Sequence, residues 1–484
     1  MTRSLGRRRG LTLAATVLGS SLAFIDATVV VVALPQIEAD LSLGLSGQQW
    51  VYLAYSLALA ALYLPAGAIG DRYGRRGTFA CGAVAFAAAS ALAGAAPNEA
   101  LLVCARALQG VAGAFLTTNS LALLRSTFAA ESGRAVGLWT SWTGVATIAG
   151  PPVGGALAEW ASWRWIFFVN LPLAGATVVL LRMGSCPEAA RIRVGRLDVP
   201  GAALAAAGFG SLTYGMVEGS EAGFGSVWWA FALAASALLG FAAVERRVAT
   251  PLLPGALFRV RNFAIANAET FLLYGALGGF FVYFTLYLQF LGFTPFEAGL
   301  ANVPTSVVMI LLAARFGRLA DERGPRRFLT AGPALLGAGI LLFLLVDEKD
   351  DFLAFGIPGL ALVSLGLAAF VAPITATALS SVGEELAGIA SGVNSTISRL
   401  GNLLAVAAIG VVLSAVFSAA GGPEQSVALE AGQVDAPARS ASVDAFRAGV
   451  LVAAGLAFAG AVVGALGISD RAARVARDAS AGRD

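Results

Sequence analysis

The chain has no histidine, one lysine and three cysteines among its 484 residues. Without histidine it lacks the side chain that ordinarily titrates near neutral pH, so proton chemistry has to run through carboxylates. The lone lysine, Lys349, lies in the run DEKD and not in a glycine-rich loop, which excludes an intrinsic P-loop ATPase; ATP is not an expected partner. Cys81, Cys104 and Cys186 show neither pairing nor metal-ligand spacing, and they are expected as packing residues. No metal, no organic cofactor and no nucleic-acid partner is expected. Charge is scarce as well: 13% of residues are charged, against about 25% in a soluble domain. With 58% hydrophobic residues, no soluble fold of this size hides its apolar surface, so lipid must serve as solvent.

What is present is a succession of long apolar runs. A membrane helix needs roughly 20 mostly apolar residues. That rule gives fourteen candidate spans: 11–35, 47–69, 78–96, 99–123, 136–158, 164–182, 198–217, 227–244, 262–291, 297–316, 328–346, 352–378, 388–416 and 445–467. The runs lack the ten-residue alternation of barrel strands, which leaves an all-α polytopic membrane protein. The basic start, MTRSLGRRRG, resembles a signal peptide, but the apolar run behind it continues to about Ile37 without a small-residue cleavage pattern and is expected as a retained span.

Arginine placement predicts the orientation. The N-terminal tail is basic, as are alternate loops: Arg72, Arg75 and Arg76; Arg125 and Arg134; Arg191, Arg193 and Arg196; Arg246, Arg247 and Arg259; Arg323, Arg326 and Arg327. The intervening loops are acidic or neutral, and only the one with Glu384 and Glu385 breaks the pattern. Both termini are therefore expected on the cytoplasmic side of the cell membrane.

Two charged, glycine-punctuated turns stand out: GAIGDRYGRR from Gly67 and GRLADERGPRR from Gly317. They align with a shift of 250 residues, Gly67 on Gly317, Asp71 on Asp321 and Gly74 on Gly324, with Pro325 as one added residue before Arg326 and Arg327. The same shift lays span 1 on span 9. Eight spans is an even number, so both copies cross in the same sense, as in a parallel repeat of two six-helix bundles. The expected organisation is a basic tail (1–10), an N-terminal bundle (11–183), an inserted helix pair with its loops (184–260), a C-terminal bundle (261–467) and a cytoplasmic tail (468–484).

Four segments carry a resemblance to a known family. They are the loop GAIGDRYGRR, RALQGVAGAF (Arg106 to Phe115) in span 4, GPPVGG (Gly150 to Gly155) in span 5 and FIDATVVVVALP (Phe24 to Pro35) in span 1. Together they resemble the major facilitator superfamily, and within it the 14-span drug:proton antiporters, over nearly the whole chain. Val31 departs, standing where members often carry asparagine. The resemblance implies a major facilitator fold of 6+2+6 helices and a monomer that uses protons as coupling ion. It further implies that the loop residues Gly67, Asp71, Arg72, Gly74, Arg75 and Arg76, with Asp321, Gly324, Arg326 and Arg327, form a cytoplasmic gate. GPPVGG is associated in that family with antiporters.

Read from the residues, Asp26 and Arg106 are each intramembrane charges, at matching depths of roughly 10–14 Å from the outer ends of spans 1 and 4. They are expected to pair, either as a static structural bridge or as part of proton coupling. Glu269, about eight residues into span 9, is the second buried acid. It is a proton site, or it snorkels to the interface or pairs with Arg399. Pro151 and Pro152 are expected to kink span 5, and Gly144, Gly150, Gly154 and Gly155 to let another helix approach. Phe24, Phe115, Asn119, Trp142, Asn267, Tyr274, Tyr283, Tyr287 and Gln289 are candidates for lining a substrate cavity.

The expected function is proton-driven export of lipophilic or cationic drugs and antibiotics, with membrane lipid as surroundings. A dedicated exporter of one endogenous product is the alternative. A nutrient symporter predicts more polar cavity side chains, and an enzyme predicts catalytic clusters that the chain does not carry.

Overall fold

Ala, Leu and Val dominate the apolar runs, and all but Val are good helix formers; in lipid, helices also satisfy every backbone group internally. The computed structural model describes residues 2–128, 132–184, 198–248, 253–382, 386–422, 429 and 435–470. Its helices are α1 (Thr2–Leu41), α2 (Gly44–Tyr73), α3 (Arg75–Gly94), α4 (Glu99–Thr127), α5 (Ser132–Trp160), α6 (Trp165–Phe168), α7 (Asn170–Met183), α8 (Val199–Ala222), α9 (Trp228–Glu245), α10 (Arg261–Phe290), α11 (Pro295–Leu300), α12 (Val303–Arg323), α13 (Arg326–Leu341), α14 (Ile357–Ser380), α15 (Ala387–Ala419) and α16 (Ala436–Gly467). Among the described residues, eleven stretches are long and apolar enough to cross a membrane. A twelfth counts if Gly44–Tyr63 and Pro65–Tyr73, bent by 52° to each other, form one span. Helices occupy all fourteen expected ranges, but α5 and α8 are not among those stretches. Gly, Pro and Thr in α5, and Gly with Glu218 in α8, dilute their apolar character. The chain is thus an all-helical, multi-pass membrane protein, with eleven or twelve supported spans where the sequence predicts fourteen.

The chain divides into two compact units. Unit 1 comprises Met1–Leu212, Trp229–Leu252 and Thr294–Leu300; unit 2 comprises Thr213–Trp228, Leu253–Phe293 and Ala301–Asp484. Within unit 1, α1 packs on α5 and α7, α2 on α4, and α3 on α4 and α7. Within unit 2, α10 packs on α15 and α16, α12 on α14, and α13 on α14 and α16. The repeat read from the two charged turns therefore reappears as one packing scheme used twice. The division between units falls inside α8.

Each turn between the second and third helix of a unit depends on one glycine. Gly74 ends α2 and begins α3 with φ 107°, and its N–H donates to the Gly70 carbonyl at 2.9 Å. Gly324 does the same after α12, with φ 94° and a 3.0 Å bond to the Ala320 carbonyl. These dihedrals belong to a region only glycine enters without strain. Gly70, four residues earlier, is helical, and a side chain there would collide with Asn119 of α4.

Candidate functional site

Asp26 of α1 and Arg106 of α4 meet inside unit 1, and both are fully buried. Arg106 Nη1 donates to Asp26 Oδ2 and to Gln109 Oε1 (2.9 Å), and Nε donates to the Val51 carbonyl of α2 (2.9 Å). The guanidinium lies 4.5 Å from the ring centroid of Tyr55 and 5.8 Å from that of Phe167. Tyr55 is itself held by a 2.8 Å bond from its hydroxyl to the Ala23 carbonyl. Nη2 alone has no hydrogen-bond partner among the described residues.

Three donors converge on the Asp26 carboxylate. Besides Arg106, Gln109 Nε2 (3.1 Å) and Asn170 Nδ2 (3.0 Å) both donate to Oδ1. The two amides also share an acceptor, Ser90 Oγ of α3, at 2.8 and 3.3 Å. Gln109 is fixed in orientation, because its oxygen must face the arginine and its nitrogen the carboxylate. Five helices (α1, α2, α3, α4 and α7) thus contribute to one polar cluster in an apolar interior. An ionised carboxylate in a bilayer core costs at least ~2.5–3.5 kcal/mol, and this is the kind of compensation that retains one.

Sequence reasoning found the pair but missed Gln109, Ser90 and Asn170. Gln109 was legible: it lies three residues after Arg106, on the same helix face. Asn170 announces itself only as a polar residue before Leu-Pro in an apolar run.

Glu269 of α10, in unit 2, is also fully buried, so it does not snorkel. Neither of its oxygens has a hydrogen-bond partner among the described residues, and no bridge to Arg399 is made. It lies against α16, where a Cβ added at Gly464 would sit 3.1 Å from Oε1. Asn267 and Thr270 of the same helix turn elsewhere, accepting from Asn394 Nδ2 of α15 at 3.1 and 3.0 Å.

The GPPVGG segment runs inside α5, which is helical without interruption through Pro151 and Pro152. Close approach holds at three of its four expected glycines: side chains at Gly150 and Gly154 would collide with Thr28 and Val29 of α1, and one at Gly155 with the Pro295 carbonyl of α11. Gly144 meets nothing within 4 Å, so it is not a packing contact. In α2 a 52° bend separates Gly44–Tyr63 from Pro65–Tyr73.

The charged turns differ in detail. In the first, Asp71 Oδ1 accepts from Arg75 Nε at 2.6 Å, while Arg75 Nη1 reaches the Ala122 carbonyl (3.2 Å) and Arg76 the Leu181 carbonyl (2.8 Å). Arg72 lies exposed over Tyr73. Gly67 is in ordinary contact with Thr118, as Gly317 is with Ala372. In the second turn Arg326 donates through its backbone to Asp470 Oδ1 (3.0 Å) and through Nε to the Ala465 carbonyl (2.7 Å), with Arg327 exposed.

The nine cavity candidates are spread over both units, Phe24, Phe115, Asn119 and Trp142 in unit 1 and Asn267, Tyr274, Tyr283, Tyr287 and Gln289 in unit 2. Asn119 is a strut between α4 and α2, donating to the Phe115 (2.9 Å) and Ala66 (3.2 Å) carbonyls. Tyr283 and Tyr287 are buried and donate to the carbonyls of Val406 and Val346; Tyr287 stacks on Phe446. Asn267 belongs to the α15 contact, Gln289 is buried and Tyr274 half-buried. Phe24 packs edge-on against Trp139. Phe115 lines an apolar groove of about 680 Å³ over α3, and Trp142, 59% exposed, another of about 510 Å³ over α1. Polar and aromatic character marks positions inside helices without saying which face they occupy. Cys81 and Cys104 are likewise exposed, not packed as expected, and Cys186 lies outside the described residues. Among the described residues no cluster of three metal-binding side chains occurs.

Comparison with known proteins agrees with this architecture. Solved structures with the same fold include a bacterial homologue of the human lysosomal transporter Spinster (TM-score 0.66, 16% identity, 97% of this chain and 98% of that one) and a D-xylose-proton symporter (TM-score 0.64, 14% identity, 96% and 98%). At such identities the likeness bears on fold alone. Sequence relatives are nearer. The multidrug resistance protein Stp of Mycobacterium tuberculosis is 36% identical over 420 residues, 86% of this chain and 78% of that protein. The puromycin resistance protein pur8 of Streptomyces alboniger is 35% identical (82% and 80%), and the tetracenomycin C resistance and export protein of Streptomyces glaucescens 33% (83% and 76%). The family model described as Major Facilitator Superfamily matches residues 16–406. The chain belongs to the Major Facilitator Superfamily, a family of transporters and not of enzymes, and its nearer relatives include drug and antibiotic resistance proteins.

Proposed function

We propose that this protein exports lipophilic or cationic drugs and antibiotics across the cell membrane by alternating access, driven by protons. In this reading fourteen helices cross the membrane as 6+2+6 and both termini are cytoplasmic. The bundles are residues 11–183 and 261–467, flanking the inserted segment 184–260. The protein works as a monomer. Asp26 and Arg106 form one element of the coupling site and Glu269 the other; the turns at Asp71 and Asp321 gate the cytoplasmic side.

The observation that carries the proton-coupled reading is the fully buried Asp26–Arg106 pair with its amide support, in a chain without histidine. A pair that only stabilised the bundle would be replaceable by apolar residues at little cost. The substrate class rests on the relatives' names. One of them names export of a single compound, which supports a second reading: a dedicated exporter of one endogenous product.

The test is purified protein in liposomes under an imposed pH gradient. Substrate should move against its concentration and stop when an uncoupler is added; transport indifferent to the uncoupler would exclude proton coupling. A susceptibility panel of cells expressing wild type, Asp26→Asn or Glu269→Gln separates the two readings by breadth. Wild-type resistance in both variants, at normal expression, would remove both acids from the mechanism.

A further inference from the structure

The Asp26–Arg106 pair touches the chain at a second place that its own helices do not explain. α6 runs into α7 through Val169, whose backbone stays helical (φ −60°, ψ −24°) with its N–H donating to the Trp165 carbonyl at 3.0 Å. This junction contacts both members of the pair. Phe167, just before it, lies 5.8 Å from the Arg106 guanidinium; Asn170, just after it, donates to Asp26 Oδ1 at 3.0 Å. Both residues are buried.

We infer that Asn170 is a positioning residue of the coupling site, holding Asp26 Oδ1 and linking the state of that carboxylate to the α6–α7 junction. Its amide nitrogen has two hydrogens, and the structure gives both an acceptor, Asp26 Oδ1 and Ser90 Oγ. The same two acceptors take both hydrogens of Gln109. Asp26 Oδ1 and Ser90 Oγ therefore sit between a pair of amides, one from α4 and one from α7. The arrangement serves an ionised Asp26: each amide turns one N–H on Oδ1, which then offers only lone pairs, and the other on the Ser90 hydroxyl oxygen. A proton placed on Oδ1 displaces one of these donors. Gln109 is tethered through its oxygen to Arg106, so Asn170 is the donor free to yield. Protonation of Asp26 is in this way passed to the helical turn around Val169 that carries Asn170.

The inference rests on the proposed role of Asp26 in proton coupling, and its test keeps the two apart. Full-length protein in proteoliposomes is given tritiated tetraphenylphosphonium, a lipophilic cation. Two fluxes are read: uphill accumulation driven by a pH gradient, and counterflow exchange without a gradient. Asn170→Leu keeps the size of the side chain and removes the donor. The ratio of driven flux to counterflow should fall about tenfold or more, as for loss of a hydrogen bond to a charged group, and Asp26→Asn should do the same. Asn170→Ser, which keeps a shorter donor, should fall by less. If Asn170→Leu leaves the ratio at the wild-type value, whether both fluxes hold or both drop together, Asn170 only packs and the inference is wrong. If Asp26→Asn itself keeps the ratio, or wild type does not move the cation uphill, the coupling reading fails first. Should Asn170→Leu not yield monodisperse protein, Asn170→Ser carries the decision: an unchanged ratio there overturns the inference.

Discussion

Asp26 and Glu269 are both fully buried acids, one in the first helix of each repeated unit, yet their surroundings are opposite. Asp26 has three donors drawn from two other helices; Glu269 has none among the described residues. Nor are they copies of each other. Under the 250-residue shift Asp26 falls on Ala276 and Glu269 on Gly19, so neither acid has a counterpart in the other unit. A compensated carboxylate is held in one state, and changing that state must disturb its donors. A carboxyl without donors gains and loses a proton with no hydrogen bonds to rearrange, which is the behaviour a carrier needs.

The contrast is broken most sharply by Arg106→Leu. It leaves Asp26 as a buried charge without its cation, and such losses cost about 3–5 kcal/mol. Purified Arg106→Leu should melt well below wild type in detergent and carry no driven flux. If its stability is unchanged, the pair is not the compensated site described here. Next comes Gly464→Ala, beside the other acid. The added methyl would collide with the Leu329 carbonyl and sit 3.1 Å from Glu269 Oε1, so α13 and α16 must part. Overpacking of this kind costs about 1–3 kcal/mol, read as a lowered thermal midpoint.

Glu269→Leu sharpens the comparison from the opposite side. No partner is orphaned, so stability should stay within about 1 kcal/mol of wild type, while pH-driven flux falls about tenfold or more. A variant that melts like Arg106→Leu would show that Glu269 has a partner after all. One that transports normally would leave the acid without a part in the cycle.

Much of this was written in the sequence, and the parts that were not share a cause. The helices follow from hydropathy, and the repeat from two charged turns that no apolar bundle would place without reason. Asp26 and Arg106 could be paired by depth alone, since the rise per residue is fixed along a helix. Direction around the helix axis is harder. Asn119, Tyr283 and Tyr287 looked like cavity residues because they are polar or aromatic in apolar runs; each instead spends its polar group on a neighbouring carbonyl. Asn170 is the converse case, a residue whose role depends on facing Asp26 and Ser90, a direction that hydropathy does not register. The span count was the other weak point. α5 and α8 are helical but diluted by Gly, Pro, Thr and Glu, and composition alone does not decide whether such a helix crosses.

The smallest effect belongs to the two turns, where the same comparison recurs at the surface. Asp71 pairs with Arg75 while each is still partly exposed, 30% and 23% respectively, so breaking the pair costs at most about 1 kcal/mol. In the second turn the described contacts of Arg326 run to Asp470 and Ala465 of the chain's end, not to the aspartate aligned with Asp71. Arg75 of the first copy thus meets an aspartate of its own motif, and Arg326 of the second meets one outside it. If the turn gates transport as proposed, Asp71→Asn should slow driven transport about two- to fivefold at saturating substrate with the half-saturating concentration unchanged, because a gate alters passage between states and not the substrate site. Asp470→Asn, which weakens the acceptor of the Arg326 N–H, should slow driven transport by a similar factor. Initial rates across a substrate series decide it. A wild-type rate in Asp470→Asn would mean that the contact closing the second turn does not set the rate.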